Sequence, residues 1–165
     1  MLFRSHAMHL PSLQKLFPEA KLIHIIRDGR AVFVSAWHHN LRSRDGNLER
    51  LGFDGVLDLT AKEWSERVLR ARDTGRAWGD RYFEVRYEDL IADPEGTLRG
   101  LCELLELEFV PAMVDPPERA ELEAGLGAVG GWRERLTPEQ LTAFEEPAAE
   151  MLTELGYGTA AKQPV

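Results

Sequence analysis

The chain has 165 residues, 44% of them hydrophobic, and a net charge of −8; that length fits one domain with a sizeable core, and that charge speaks against a nucleic-acid surface. No stretch reaches the roughly 20 apolar residues of a membrane span, and the opening MLFRSHAMHL lacks the apolar core of a secretory leader. The single cysteine, Cys102, excludes an internal disulfide and a cysteine metal cluster and suits a reducing, cytoplasmic compartment.

Met1–Arg4 reads as a short strand, and SLQKLFPEA as a short helix broken near Pro18. Lys21–Ile26 is apolar enough for a buried strand. Arg27 closes it, Asp28-Gly29 turns the chain, and Asp28 is placed to cap a helix running from Gly29 to about Asn40. RSRDGNLERLGFDGVL is polar and punctuated by glycine, which predicts a loop. From Thr60 to about Trp78 the spacing is helical, with Trp64, Val68 and Ala71 on one side. RYFEVRY is a second strand, Pro94 opens the helix PEGTLRGLCELLEL, and DPPERAELEAGLGAVGG is irregular. TPEQLTAFEEPAAEMLTEL is the last helix: Thr137 caps it, Pro138 takes its first position, Gln140 completes a capping box and Gly156 ends it. Pro147 inside it predicts a kink or a break, and residues 158–165 read as a flexible tail. Strands alternating with helices argue for one α/β domain over residues 1–165, built on a parallel sheet.

Charge is unevenly spread. Residues 1–45 sum to +4 and the remainder to −12, and all five histidines lie in the first part. This favours a small anionic ligand held there; the bland alternative is a solvated basic face. In a parallel α/β sheet, ligands bind beyond the carboxyl ends of the strands. Arg27 stands at such an end, beside a helix N-terminus that favours anions, and its fork of donors suits phosphate. Ser35, two turns along the helix, offers a hydroxyl donor. Alternatively, Arg27 pairs with an acid such as Asp28 and Ser35 merely faces solvent.

The stretch KLIHIIRDGRAVFVSAWHH resembles the 3′-phosphate-binding segment of sulfotransferases that use 3′-phosphoadenosine 5′-phosphosulfate (PAPS): an Arg at a strand end, a short polar turn and a Ser eight residues after the Arg. FRSHAMHLP is similar to the family's Lys-Thr-His-Leu-Pro strand end. VRYEDLIADPEGTLRGLCELLEL resembles its Tyr-Glu-Asp-Leu segment and following helix, and VGGWRERLTPEQLTAFEE its Val-Gly-Asp-Trp block and last helix. The four blocks stand in family order across nearly the whole chain. The resemblance implies a P-loop-NTPase-like, three-layer α/β fold with a parallel sheet, truncated at its N-terminus, and PAPS as sulfuryl donor without a metal. It implies that Arg27 and Ser35 hold the 3′-phosphate, that Tyr87 lies against or near the adenine, and that His6 is the general base. Tyr87 is otherwise an ordinary strand-end tyrosine with its ring inward.

The chemistry calls for such a base, because an acceptor hydroxyl or amine must lose its proton as it attacks sulfur, and a near-neutral pKa lets histidine take it. His9 competes with His6 for this role, and His6 is otherwise a surface residue. Arg4, where the family often has Lys, can face charge on the departing nucleotide or simply be solvated. Two departures stand out. The family's Ser/Thr/Gly-rich loop for the 5′-phosphosulfate has no match, and neither has a Walker loop. Gly125-Leu126-Gly127 replaces the family's Arg-Lys-Gly; Arg133 either compensates or is structural. Trp132 and Phe144 read as anchors of the last helix, and Trp37, Trp64 and Trp78 as packed or lining an acceptor pocket. Residues 41–57 read as the acceptor-side loop.

The expected function is therefore that of a PAPS-dependent sulfotransferase, or part of one, inactive as this chain alone. It would act on a small-molecule, glycan or peptide acceptor, with no nucleic-acid partner and with self-association through an exposed sheet edge beside Lys21–Ile26. A non-catalytic binding module with weak adenosine-3′,5′-bisphosphate affinity is the second expectation. A kinase-like phosphotransferase comes third, disfavoured by the missing Walker loop.

Overall fold

In the computed structural model, residues 9–43, 46–114 and 129–158 are described. The predicted strand Met1–Arg4 and the tail from residue 159 lie outside them. Two parallel strands organise the rest: β1 (Leu22–Ile26) pairs with β2 (Tyr82–Arg86) in a register running from Leu22↔Tyr82 to Ile26↔Arg86. Parallel neighbours require a long crossover, supplied here by α2 (Gly29–Ser43) and α3 (Gly46–Arg76). A short helix, α1 (Leu10–Leu16), precedes β1 and stops at Phe17, ahead of Pro18. After β2 come α4 (Tyr87–Ala92), α5 (Pro94–Leu105), a 3-10 turn at Gly131–Glu134 and α6 (Pro138–Glu154). Among the described residues no helix is long and apolar enough to cross a membrane.

The core gathers Ile26 from β1, Phe33 and Val34 from α2, Val56, Leu57, Trp64 and Val68 from α3, and Phe144, Ala148 and Leu152 from α6, with Trp132 and Tyr157. Trp64, Val68 and Ala71 are all buried, as their helical spacing predicts, and Trp132 and Phe144 anchor the C-terminal part. The ends of α6 follow local chemistry. Thr137 Oγ1 accepts from the Gln140 amide at 3.3 Å, Gln140 Oε1 accepts from the Thr137 amide at 3.0 Å, and Gly156 beyond the helix has a φ of 73°. Asp93 caps α5 by accepting from the Gly96 amide at 2.9 Å.

Three expectations change. The glycine-punctuated stretch read as a loop, and with it the acceptor-side loop at 41–57, is helical where it is described except at Gly52. α3 begins at Gly46, breaks at Gly52, whose φ of 66° suits only glycine, and resumes at Phe53. The Phe53 ring meets Phe33 edge-on at 5.1 Å and Trp37 at 5.0 Å, while Val56 and Leu57 are buried. Phe53, Val56 and Leu57 are spaced as one helical face, and their burial outweighs the poor helix propensity of the nearby glycines. The predicted break at Pro147 is absent, because α6 is pinned on both sides of the proline by buried Phe144, Ala148, Met151 and Leu152. Finally, β2 stops at Arg86, so Tyr87 opens α4 instead of closing the strand.

Candidate functional site

The parallel register decides what meets at the carboxyl end of the sheet. Ile26 and Arg86 are the last paired residues, so Arg27-Asp28 and Tyr87-Glu88 leave the strands side by side. The Arg27 guanidinium carbon lies 4.4 Å from the centre of the Tyr87 ring, within the range of a cation–π contact.

The peptide group joining Arg27 to Asp28 is held at both edges. Its carbonyl accepts a hydrogen bond from Trp64 Nε1 at 3.1 Å, and its N–H donates to Glu88 Oε1 at 3.0 Å. The other oxygen of Glu88 accepts from the Tyr157 hydroxyl at 2.8 Å. Burial first, and then the adjacent Glu88 charge, push the Tyr157 pKa up, so the phenol keeps the proton it donates. Trp64 also explains Gly29: a methyl group there would stand 2.6 Å from Cδ2 of the indole, so only glycine lets the ring lie against the turn.

Asp28 caps α2 as expected, its Oδ1 accepting from the Arg30 amide at 2.9 Å. Its carboxylate does more, however. It accepts from Arg30 Nε at 3.0 Å and from Nη2 at 2.8 Å, while Arg30 Nη1 donates to Glu145 Oε1 at 2.5 Å. The acid next to Arg27 is thus committed to Arg30. That arginine is only 1% exposed and lies 4.0 Å from the Trp132 ring. Burial alone would lower its pKa, but the hydrogen bonds and charges of Asp28 and Glu145 outweigh it and the pKa is raised. Arg30 Nη2 also reaches the Tyr157 carbonyl at 3.3 Å. This network ties the turn after β1 to α6 and to the residues beyond it.

Of the residues singled out in the sequence, Arg27 and Tyr87 are therefore in contact. Ser35 sits part-buried in α2, six residues past Gly29 and so about 9 Å farther along the helix axis. His6, Arg4 and Gly125-Leu126-Gly127 lie outside the described residues. His9 is exposed just before α1, and the Arg133 guanidinium covers the Trp132 ring at 4.3 Å. Glu88, Trp64, Arg30 and Glu145 were not anticipated at this place. Only Glu88 had a usable signal, since in a parallel pair the residue after Tyr87 must stand near the residue after Arg27. Chemically, the arrangement places an arginine at the carboxyl end of a strand, beside the start of a long helix, a setting that suits an oxyanion.

Comparison with known proteins adds a family. The model of the Sulfotransferase family matches residues 3–111. Omega-hydroxy-beta-dihydromenaquinone-9 sulfotransferase Stf3 of Mycobacterium tuberculosis is 33% identical over 163 residues, which cover 97% of this chain and 41% of that protein. Cytosolic sulfotransferase 11 of Arabidopsis thaliana is 23% identical over 182 residues, covering 88% of this chain and 51% of that one. Among solved structures, the sulfotransferase domain from the Synechococcus PCC 7002 olefin synthase superposes with a TM-score of 0.59 at 25% identity, over 90% of this chain and 56% of that one. The chain thus spans about half, or less, of the length of the curated relatives named here. The fold is the P-loop-like α/β fold of sulfotransferase domains, and the family model extends from before α1 to beyond α5: the chain belongs to the sulfotransferase family.

Proposed function

We propose that this chain takes part in sulfuryl transfer from PAPS to an acceptor hydroxyl or amine, with Arg27 and Ser35 as donors to the 3′-phosphate and His6 as general base. PAPS supplies the sulfuryl group and departs as adenosine-3′,5′-bisphosphate. The observation that carries this reading is the grip on Arg27. Its peptide is bonded by Trp64 and Glu88 and its guanidinium carbon lies over the Tyr87 ring, so the strand-end arginine that the resemblance assigns to the 3′-phosphate stands at the carboxyl end of the sheet, where such folds bind ligands.

The relative Stf3 is named for an omega-hydroxy compound, which favours a hydroxyl acceptor over an amine. A reducing, cytoplasmic setting suits the free, buried Cys102. Among the described residues β1 pairs with β2 alone, and its Ile25 is 57% exposed; this supports self-association along the sheet edge. A second function, nucleotide binding without transfer, is favoured by Gly125-Leu126-Gly127 standing where the resembling family carries two cations.

Calorimetry with adenosine-3′,5′-bisphosphate, ADP and ATP tests the donor site. The bisphosphate should bind best. Equal affinity for all three, or none for any, refutes the 3′-phosphate assignment.

A further inference from the structure

We infer that Glu88 is a positioning residue of the 3′-phosphate site: its carboxylate holds the backbone between Arg27 and α2 in place, and Tyr157 holds that carboxylate. This rests on the assignment of Arg27 and Ser35 to the 3′-phosphate, and it adds two residues that act through the turn between them.

The register gives Glu88 its task. β1 and β2 pair in parallel as far as Ile26 and Arg86, so Asp28 and Glu88 each stand two residues past the last pair. There β2 gives way to α4, which begins at Tyr87, and the backbone pairing of the strands ends. The Asp28 amide precedes the first residue of α2, where a helix offers its own N–H groups no acceptor. Asp28 is only 6% exposed, and a buried amide without an acceptor is costly. Glu88 Oε1 accepts from it at 3.0 Å. A side chain thus takes the place of the strand that has turned away, and an ionised acceptor makes a stronger bond than a neutral one. The second oxygen closes a circuit. Glu88 Oε2 accepts from the Tyr157 hydroxyl at 2.8 Å, the Tyr157 carbonyl accepts from Arg30 Nη2 at 3.3 Å, and Arg30 donates to the Asp28 carboxylate. Asp28, Glu88, Tyr157 and Arg30 are thereby joined in one ring, and the peptide that follows Arg27 belongs to it. The same turn sets where α2 starts, and so the spacing between Arg27 on the strand end and Ser35 on the helix. Were it loosened, a phosphate that needs both would bear the cost of ordering them.

The test is calorimetry with two nucleotides that differ only in the 3′-phosphate, adenosine-3′,5′-bisphosphate and adenosine 5′-monophosphate. It compares the wild type, Glu88→Ala, Glu88→Gln, Tyr157→Phe, Arg27→Ala and the double variant Arg27→Ala/Glu88→Ala. Glu88→Ala should weaken the bisphosphate about two- to ten-fold and leave the monophosphate as in the wild type. Glu88→Gln, which keeps an oxygen for the Asp28 amide, should retain most of the preference, and Tyr157→Phe should show a smaller selective loss. The losses from Arg27→Ala and Glu88→Ala should add up to less than their sum, because one acts through the other. A merely structural Glu88 would lower stability without moving the ratio of the two affinities. Equal weakening of both nucleotides, no weakening of either, or fully additive losses therefore overturns the inference. Should Glu88→Ala fail to fold, Tyr157→Phe decides: a selective loss supports the inference and an unmoved ratio overturns it. A wild type that does not prefer the bisphosphate overturns the donor-site assignment and this inference together, whereas a wild-type preference that survives intact in Glu88→Ala overturns this inference alone.

Discussion

Trp64 Nε1 donates to the Arg27 carbonyl at 3.1 Å while the same indole lies against Gly29, so one side chain of α3 fixes both sides of the turn that follows β1. Trp64→Phe keeps most of the ring but leaves that carbonyl without its donor, a loss of about 1–3 kcal/mol where the group is buried. Gly29→Ala drives a methyl into the indole, and overpacking of this kind costs about 1–3 kcal/mol. Urea unfolding should show both variants with a lowered midpoint and an unchanged slope. Midpoints equal to the wild type would mean that the turn does not depend on Trp64.

Arg27 itself should matter for affinity more than for folding, because its guanidinium is not among the buried groups. A charge-assisted hydrogen bond contributes roughly 1.5–3 kcal/mol. Arg27→Ala should therefore weaken adenosine-3′,5′-bisphosphate about ten- to a hundred-fold. Arg27→Lys should recover only part of this, since it keeps the charge and loses the planar fork. Full affinity in a folded Arg27→Ala protein would place the nucleotide elsewhere.

Arg30 should behave in the opposite way. It is buried between Asp28 and Glu145, whose side chains are each 9% exposed. Arg30→Met leaves two carboxylates buried without their cation, and removing one partner of a buried ion pair costs about 3–5 kcal/mol. Glu145→Gln should cost less, because Arg30 keeps Asp28 and a neutral acceptor remains. Guanidinium denaturation of the two variants checks the order, and a larger loss for Glu145→Gln contradicts it.

A polar chain on the sheet face sets a pH dependence. His24 Nδ1 lies 2.7 Å from the Tyr82 hydroxyl, which donates to Glu84 Oε1 at 2.8 Å, and Arg72 Nε donates to the same oxygen at 2.8 Å. Burial lowers the His24 pKa below its ordinary 6.5, with Glu84 opposing and Arg72 adding to the shift. The neutral form is thus favoured in the folded state. As pH falls below the unfolded value, the unfolded chain takes up a proton that the native chain does not, so stability declines until the folded value is passed. Melting temperatures measured between about pH 8 and pH 5 should fall on acidification, and His24→Gln should flatten that slope. An unchanged slope in His24→Gln would assign it to other groups.

These 165 residues alone should transfer no sulfuryl group at a useful rate. A grip on the 3′-phosphate holds the far end of the donor, whereas a base accelerates transfer only when sulfur and acceptor are held within attack distance. Losing a single donor to the developing charge commonly lowers a rate by about 10²–10³, and no residue in the described site is assigned to the 5′ side. Labelled PAPS with phenol, alcohol and amine acceptors is the assay, run on this chain and on a version extended upstream. Turnover by the short chain that disappears in His6→Ala overturns the expectation. Activity of the extended version alone supports it, and silence in both favours the binding module.

Much of this protein is written locally. The apolar run of β1, the Asp28 cap of α2, the Trp64-Val68-Ala71 face and the Thr137-Gln140 capping box each depend on residues within a few positions of one another, so periodicity and side-chain chemistry suffice to place them. Arg27 at a strand end is legible for the same reason. What surrounds Arg27 is not. Trp64 reaches its carbonyl from 37 residues away, Tyr157 meets Glu88 across 69, and Glu145 meets Arg30 across 115. Such pairs exist only once the parallel register and the packing of α3 and α6 bring their elements together, and no local pattern in the chain records them. The segment after Gly46 shows the same divide. Its glycines argue for a loop residue by residue, yet burying Phe53, Val56 and Leu57 against α2 and α6 makes it a helix, because tertiary burial exceeds the small local propensities that oppose it.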